Sequence, residues 1–282
     1  MPPQGRETSL KHVRTSLRRL REECGLQQAE VARELDWSAS KLVRIENGSV
    51  GVSVVDLRAL TALYRAPDTQ VDELVELVRQ TKKRPWWSTA TINSAYKKFI
   101  GFEADASQMW QYHLSIVPGL LQTDAYMRAL IPELRLESAG QPELNSLAKV
   151  RLRRQAEIIQ PPDGPEITML IDEMALRRPV GGPQVMREQL QHLTKAGHPD
   201  RLHVAVLPLS AGPHVGMQGG FTIMRFPDEG IGDLLVQENA TGNILLQDQP
   251  ELVQRYHDAF DGMLGRSLQG EQARDYLERL AP

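Results

Sequence analysis

The sequence predicts two domains of different class: an all-α N-terminal bundle of five helices over residues 1–84 and a larger α+β domain over residues 85–282. Three observations predict this. The chain has 282 residues, nearly twice the length of a typical domain. Apolar residues recur at intervals of three and four through the first eighty positions, whereas strand-like runs such as Ile167–Ile171 alternate with helical stretches further on. Between the two patterns, Thr81-Lys-Lys-Arg-Pro-Trp-Trp87 places a basic run and a proline that interrupt helical periodicity.

Val13, Leu17, Leu20 and Cys24 line one face of a first helix, with Gly25 where a helix end favours positive φ, and Cys24 is read as a core residue. Gln28 to Leu35 form a short second helix with Val31, Ala32 and Leu35 inward. Only Asp36, Trp37 and Ser38 separate it from a third, which Ser38 caps and Gly48 ends. Leu42 and Ile45 are its buried side, so Ser40, Lys41 and Arg44 face outward. Ser53 and Asp56 stand in capping-box positions for a fourth helix burying Leu57, Leu60 and Tyr64, and a fifth after Pro67 buries Val71, Leu74 and Val78.

Two short helices joined by a tight turn, the second presenting small polar and basic side chains from its first turns, suit entry into the major groove of DNA. The charge distribution agrees. The net charge is −3, but residues 1–84 carry 15 Lys+Arg against 12 Asp+Glu and the remainder 18 against 24. The runs Gly25-Leu-Gln-Gln-Ala-Glu-Val-Ala-Arg-Glu-Leu and Asp36-Trp-Ser-Ala-Ser-Lys-Leu-Val-Arg-Ile-Glu-Asn-Gly48 resemble the core of Xre-family, lambda-repressor-like helix-turn-helix regulators. The resemblance implies that Gln28 contacts phosphate and braces the recognition helix. It further implies that Ala39, Ser40 and Arg44 read bases, that Lys41 lies near the phosphates with Ser38 at the helix start, and that Arg21 pairs with Glu46. Where the family has a glycine to open the turn this chain has Asp36, a residue that can also adopt the left-handed conformation. A homodimer on a two-fold related double-stranded operator is the expected assembly.

In the second domain, helices are expected around Gln122–Ile131, Glu143–Ile159, Pro183–Ala196, Pro250–Leu264 and Gly270–Leu280. Strands are expected at Ile167–Ile171, Leu202–Leu207, Phe221–Phe226, Leu234–Gln237 and Asn243–Gln247, the later ones antiparallel. The glycine-rich stretch Gly212–Gly220 lacks the ending of a phosphate loop and reads as a surface turn. Arg151, Arg153 and Arg154 read as a solvated helix face, with grip on an anionic ligand or partner as the alternative. Asp172 and Glu173 with His203 and His214 could be imagined as a catalytic cluster, but no P-loop, Gly-x-Ser-x-Gly elbow, His-Glu-x-x-His or dinucleotide motif accompanies them. The expectation is therefore no enzyme, no catalytic residue, no cofactor and no metal. The one cysteine, the polar start and the lack of an apolar run of about 18 residues place the expected location in the cytoplasm, with no membrane partner.

Pro118-Gly-Leu-Leu-Gln-Thr123, Arg154-Gln155, Asp172-Glu173, Gly181-Gly182, Gln189-Leu190, Val206-Leu-Pro208 and Gly219-Gly-Phe221 resemble the effector domain of a group of actinobacterial antitoxin-like regulators. That likeness implies transcription regulation controlled through this domain by a small partner protein. The alternative is a small-molecule effector in a pocket lined by Trp110 and Tyr112.

Overall fold

The computed structural model describes residues 6–81, 85–134, 140–198, 200–227, 231–239, 242–246 and 249–281. The chain divides into two compact units, Met1–Pro85 with Pro227–Ile231 and Trp86–Phe226 with Gly232–Pro282.

The first unit contains helices α1 (Arg6–Glu23), α2 (Gln28–Glu34), α3 (Ala39–Glu46), α4 (Val54–Leu63) and α5 (Asp68–Gln80). The apolar stripes meet in one core, where Val13, Leu17 and Leu20 pack with Val31, Leu42, Ile45 and the buried side chains of α4 and α5. Cys24 is not part of it. The helix ends at Glu23 and Gly25 turns the chain at φ +68°, which carries Cys24 off the stripe. The residue is exposed, its thiol donating to the Tyr64 carbonyl at 3.3 Å.

Asp36 does adopt the left-handed conformation, at φ +52°, and the Trp37 N–H closes the turn onto the Ala32 carbonyl at 2.8 Å. Among the described residues Arg65, between α4 and α5, is the other non-glycine residue held there, at φ +54°. Cβ crowding in this region costs about 1–2 kcal/mol, which glycine avoids at a smaller entropic cost. Arg65→Gly is therefore expected to stabilise the unit by about 0.5–1 kcal/mol. A urea midpoint that stays put or falls would refute this.

The second unit holds α6 (Ser94–Asp105), β1 (Gln108–His113), α7 (Asp124–Glu133), α8 (Gln141–Ile158), β2 (Glu166–Asp172), α9 (Glu173–Arg177) and α10 (Pro183–Lys195). It continues with β3 (Leu202–Leu207), β4 (Phe221–Arg225), β5 (Leu234–Asn239), β6 (Gly242–Leu246), α11 (Pro250–Leu264) and α12 (Gly270–Leu280). The unit is α+β, with a mixed six-stranded sheet in the order β3-β2-β1-β4-β5-β6. β1, β2 and β3 run parallel, whereas β4 is antiparallel to β1 and β5 and β6 continue antiparallel. Crossovers through α7 and α8, and then through α9 and α10, make the parallel half; a connection over residues 208–220 then carries the chain from the edge strand β3 past β2 and β1 to β4.

Periodicity did not reveal β1, although it lies inside the sheet. Its residues Gln111 and Tyr112 are both buried, one on each face, so the polar–apolar alternation of a half-exposed strand is missing. On one face Tyr112, Leu170, Ala205, Phe221 and Ile223 pack against Val253, Phe260 and Met263 of α11. Gln111 and His113 point to the opposite face, where the candidate site lies.

The Gly212–Gly220 stretch is more than a surface turn. Two 3₁₀ turns, Leu209–Ala211 and Val215–Gln218, seat it on the core, and a Cβ on buried Gly216 would fall 2.4 Å from Tyr112 Cε1 and 2.9 Å from Met263 Sδ.

Candidate functional site

In the first unit, α3 lies against α1 and α2 through a polar knot around Glu46. Arg21 reaches its two carboxylate oxygens with Nε and Nη2 at 2.7 and 3.0 Å, and also donates to the Leu26 carbonyl at 2.9 Å. Gln28 Nε2 donates to Glu46 Oε2 at 2.7 Å, so the first residue of α2 is fixed to the last residue of α3. The Arg21 guanidinium is held above its ordinary pKa, chiefly by its hydrogen bonds to Glu46, against the opposing effect of burial.

The outer face of α3 carries Ser40 and Arg44, both exposed. Arg44 Nε donates to the Ser40 carbonyl at 3.2 Å, and no acidic side chain among the described residues pairs with it. Val43, 40% exposed, shares that face and offers an apolar contact of the kind thymine methyl groups accept. Its spacing of three from Ser40 is the helical signal that places it there. Ser38 occupies the N-cap position of α3, but its hydroxyl makes no capping bond and lies 3.2 Å from Ser40 Oγ. The Ala39 side chain lies outside the described residues, as do Lys82, Lys83 and Arg84.

Lys41 departs from expectation. Instead of pointing freely outward it is half-buried, its ammonium 2.6 Å from Asp56 Oδ1 and 3.7 Å from the centre of the Trp37 ring. Asp56 therefore does not complete a reciprocal capping box. Its backbone N–H donates to Ser53 Oγ at 3.0 Å, while its carboxylate accepts from Lys41 and from Ser53 Oγ at 2.9 Å. Burial would raise this carboxyl, but those two bonds outweigh it and hold it below the usual range.

The second unit contains a cavity of about 190 Å³, lined by both polar and apolar side chains, at the carboxyl end of β1. In open α/β sheets ligands bind outside the carboxyl ends of strands where the topology changes, and β1 is the strand at which parallel pairing gives way to antiparallel. Gln111 and His113 of β1 and Thr222 of β4 line it from the sheet, Tyr96 and Phe99 from α6, and Arg151 and Arg154 from α8.

Arg154 overturns the reading of a solvated arginine face. It is buried, with Nε 2.5 Å from Oε2 of Glu103, Nη2 3.1 Å from Oε1, and Nη1 donating to the Tyr96 hydroxyl at 2.6 Å. Burial alone would lower the guanidinium, and the Glu103 and Tyr96 contacts reverse that. Arg151 is half-buried and donates to Gln122 Oε1 at 2.7 Å, whereas Arg153 is exposed over the Trp86 ring at 4.6 Å. His113 is pushed down to about 4 by burial, with the Arg154 charge adding, so it is neutral at pH 7.

The family model described as "Domain of unknown function (DUF5753)" matches residues 96–279, nearly two thirds of the chain. The chain belongs to the DUF5753 family. A second model, described as "Helix-turn-helix domain", matches residues 13–74, which contain α2, the turn and α3. No curated protein and no solved structure matches.

Within the DUF5753 domain, motifs separated in sequence meet around the cavity. Gln155 Nε2 donates to the Gly119 and Gln122 carbonyls at 2.9 Å each. Gln189 takes the Thr123 N–H and donates to the Leu121 carbonyl, both at 2.8 Å. Gln122 itself donates to the Val117 carbonyl at 2.7 Å. Three glutamine side chains thus clamp the segment 117–123 that borders the cavity.

Asp172 and His214 are brought together, but in the core. Asp172 Oδ2 accepts from the Tyr112 hydroxyl at 2.9 Å and lies 3.5 Å from His214 Nε2, all three side chains being buried on the face away from the cavity. Burial and the Asp172 charge raise the Tyr112 phenol, which stays a donor. Asp172 Oδ1 caps α9 through Met174 N–H at 2.9 Å, and Glu173 accepts from Leu209 N–H at 2.8 Å and pairs with Arg177. His203 is exposed on β3, paired in register with Thr168 of β2. Trp110 and Tyr112, expected to line a ligand pocket, sit on the α11 face instead; β1 side chains alternate, so their neighbours Gln111 and His113 hold that place. No helix among the described residues is long and apolar enough to cross a membrane.

Proposed function

We infer that this protein is a sequence-specific transcriptional regulator of the Xre type, working in the cytoplasm as a homodimer. Residues 1–84 form its DNA-binding domain and residues 85–282 its controlling domain. The observation that carries the reading is Arg44, exposed beside Ser40 and Val43 on an α3 that Gln28 and Arg21 hold in place through Glu46. In this assignment Ala39, Ser40 and Arg44 read base edges. Gln28, Ser38 and the helix start set the register on phosphate. Lys41, a third exposed and paired with Asp56, lies beside them near the phosphates. Half-sites about 34 Å apart follow for a two-fold dimer.

Selection of sites from a random duplex library tests this. The wild-type chain should enrich a two-fold related motif. Arg44→Ala should lose about 1–3 kcal/mol on it and relax preference at one base position. An unchanged motif in the variant would remove Arg44 from the reading surface.

Control by a small partner protein of the antitoxin-like kind draws support from an exposed apolar patch on the DUF5753 domain. Leu209 (54% exposed) and Met174 flank Glu173, while Val215 and Met217 (61% exposed) follow His214, whose ring reaches Asp172 two residues before Met174. Large apolar side chains gathered on a surface mark interaction sites more often than scattered ones do. Met217→Asp is expected to abolish co-purification of a small protein from the native host, with the enriched DNA motif unchanged. Retention of that protein by the variant would count against the patch. The second reading, control by a small molecule, rests on the cavity at the end of β1 and its buried arginine.

A further inference from the structure

We propose that the cavity between β1, α6 and α8 binds a compact organic monoanion, a single planar ring bearing one carboxylate, with Arg151 as its counter-ion. The proposal rests on the small-molecule reading above and names the ligand class that reading leaves open.

Charge decides the sign and the number. The lining includes Arg151 and Arg154 and no Asp or Glu among the described residues. Arg154 is neutralised from behind by Glu103, which contacts it through both carboxylate oxygens. Among the described residues Arg151 has the amide oxygen of Gln122 as its one hydrogen-bond partner and no carboxylate, which leaves its charge uncompensated there. His113 adds none, since burial keeps it neutral. The walls thus present one net positive charge in a partly desolvated space, where an opposite charge is bound more strongly than in water. A carboxylate balances it; a phosphate monoester, with nearly two charges, would leave one unmatched.

Size and shape decide the rest. A dry cavity of about 150 Å³ accommodates benzene. At about 190 Å³ this one has room for a ring and a substituent the size of a carboxylate. The Tyr96 and Phe99 rings lie nearly parallel, 11° apart with centroids at 6.1 Å, and Ile116, Ile131 and Leu147 supply apolar wall. Apolar side chains, one uncompensated cation, and the amides of Gln111 and Gln122 favour a guest that is apolar over most of its surface and charged at one end. A guest carboxylate that takes Arg151 frees the oxygen of Gln122, the side chain whose Nε2 holds the Val117 carbonyl.

Thermal unfolding of the full chain in benzoate and nicotinate, against benzamide, nicotinamide and acetate at equal ionic strength, tests this. A guest that binds only the folded chain raises Tm by mass action, so both ring acids should raise it progressively up to 10 mM, with the amides and acetate giving under a quarter of the rise. Arg151→Gln should abolish the rise and Arg151→Lys restore part of it, each folding as judged by its own cooperative transition; Arg44→Ala, in the other unit, should keep it whole. Equal rises with the amides would overturn the charge assignment yet leave a small-molecule site. A full rise with acetate would overturn the ring. No rise with any compound, or a full rise in Arg151→Gln, would overturn the proposal, and the DNA selection, which needs no ligand, would still stand or fall separately.

Discussion

Glu103→Gln is expected to destabilise the DUF5753 domain by about 3–5 kcal/mol, because it leaves a guanidinium buried with no charge to balance it. Glu103 is fully buried in α6 and meets Arg154 of α8 with both oxygens. The Tyr96 hydroxyl, the other partner of Arg154, is neutral and removes little of that cost. Replacing both partners by apolar residues of similar volume, Glu103→Leu with Arg154→Met, should cost far less than the single change, since a buried pair recovers little more than its own desolvation. Urea unfolding of the full chain checks both. A loss under 1 kcal/mol in the single variant would mean that water in the cavity relieves the exposed charge, and that Arg154 is solvated in practice.

Glu46→Ala should cost the helix-turn-helix domain about 3 kcal/mol, the low end for a buried ion pair because Arg21 keeps its bonds to the Leu26 carbonyl and to Glu22. Its effect on DNA should differ in kind from that of Arg44→Ala. Glu46 touches Arg21 and Gln28 and holds α3 to α1 and α2, so its loss should weaken binding to all sequences alike. Competition binding at fixed salt separates the two cases. A Glu46→Ala protein of normal stability with altered preference at one base would make Glu46 a reading residue and not a brace.

The helix-turn-helix half was legible because its signals are local. Apolar spacing placed α1 to α5, Ser53 marked the start of α4, and Asp36 stood where a left-handed residue was needed. What escaped there depends on contacts across the fold. Nothing in the neighbourhood of Lys41 announces Asp56, fifteen residues on, and Cys24 falls one residue past the end of its helix.

In the larger domain the helices with clear stripes and the strands β2 to β6 were within reach, whereas α6 and β1, which build the cavity, were not. Both bury polar side chains: Glu103 in α6 and Gln111 in β1 interrupt the patterns that announce a helix or a strand. Their partners, Arg154 and Thr222, come from far along the chain, so the residues that most define the site also hide it. Asn93, whose side chain caps α6 by accepting the Tyr96 N–H at 2.7 Å, was the one local clue left unused.

The pairing of β1 also sets a timetable for synthesis. Helices α1 to α5 are complete once residue 80 has been made, but the floor of the cavity needs β4, which ends at Arg225. At about 5–20 residues per second the ribosome takes roughly 7–30 s to cover that stretch. For that interval the nascent chain carries the full sequence of its helix-turn-helix and lacks the strand that completes the cavity of the second unit, so the first unit can fold well before the second.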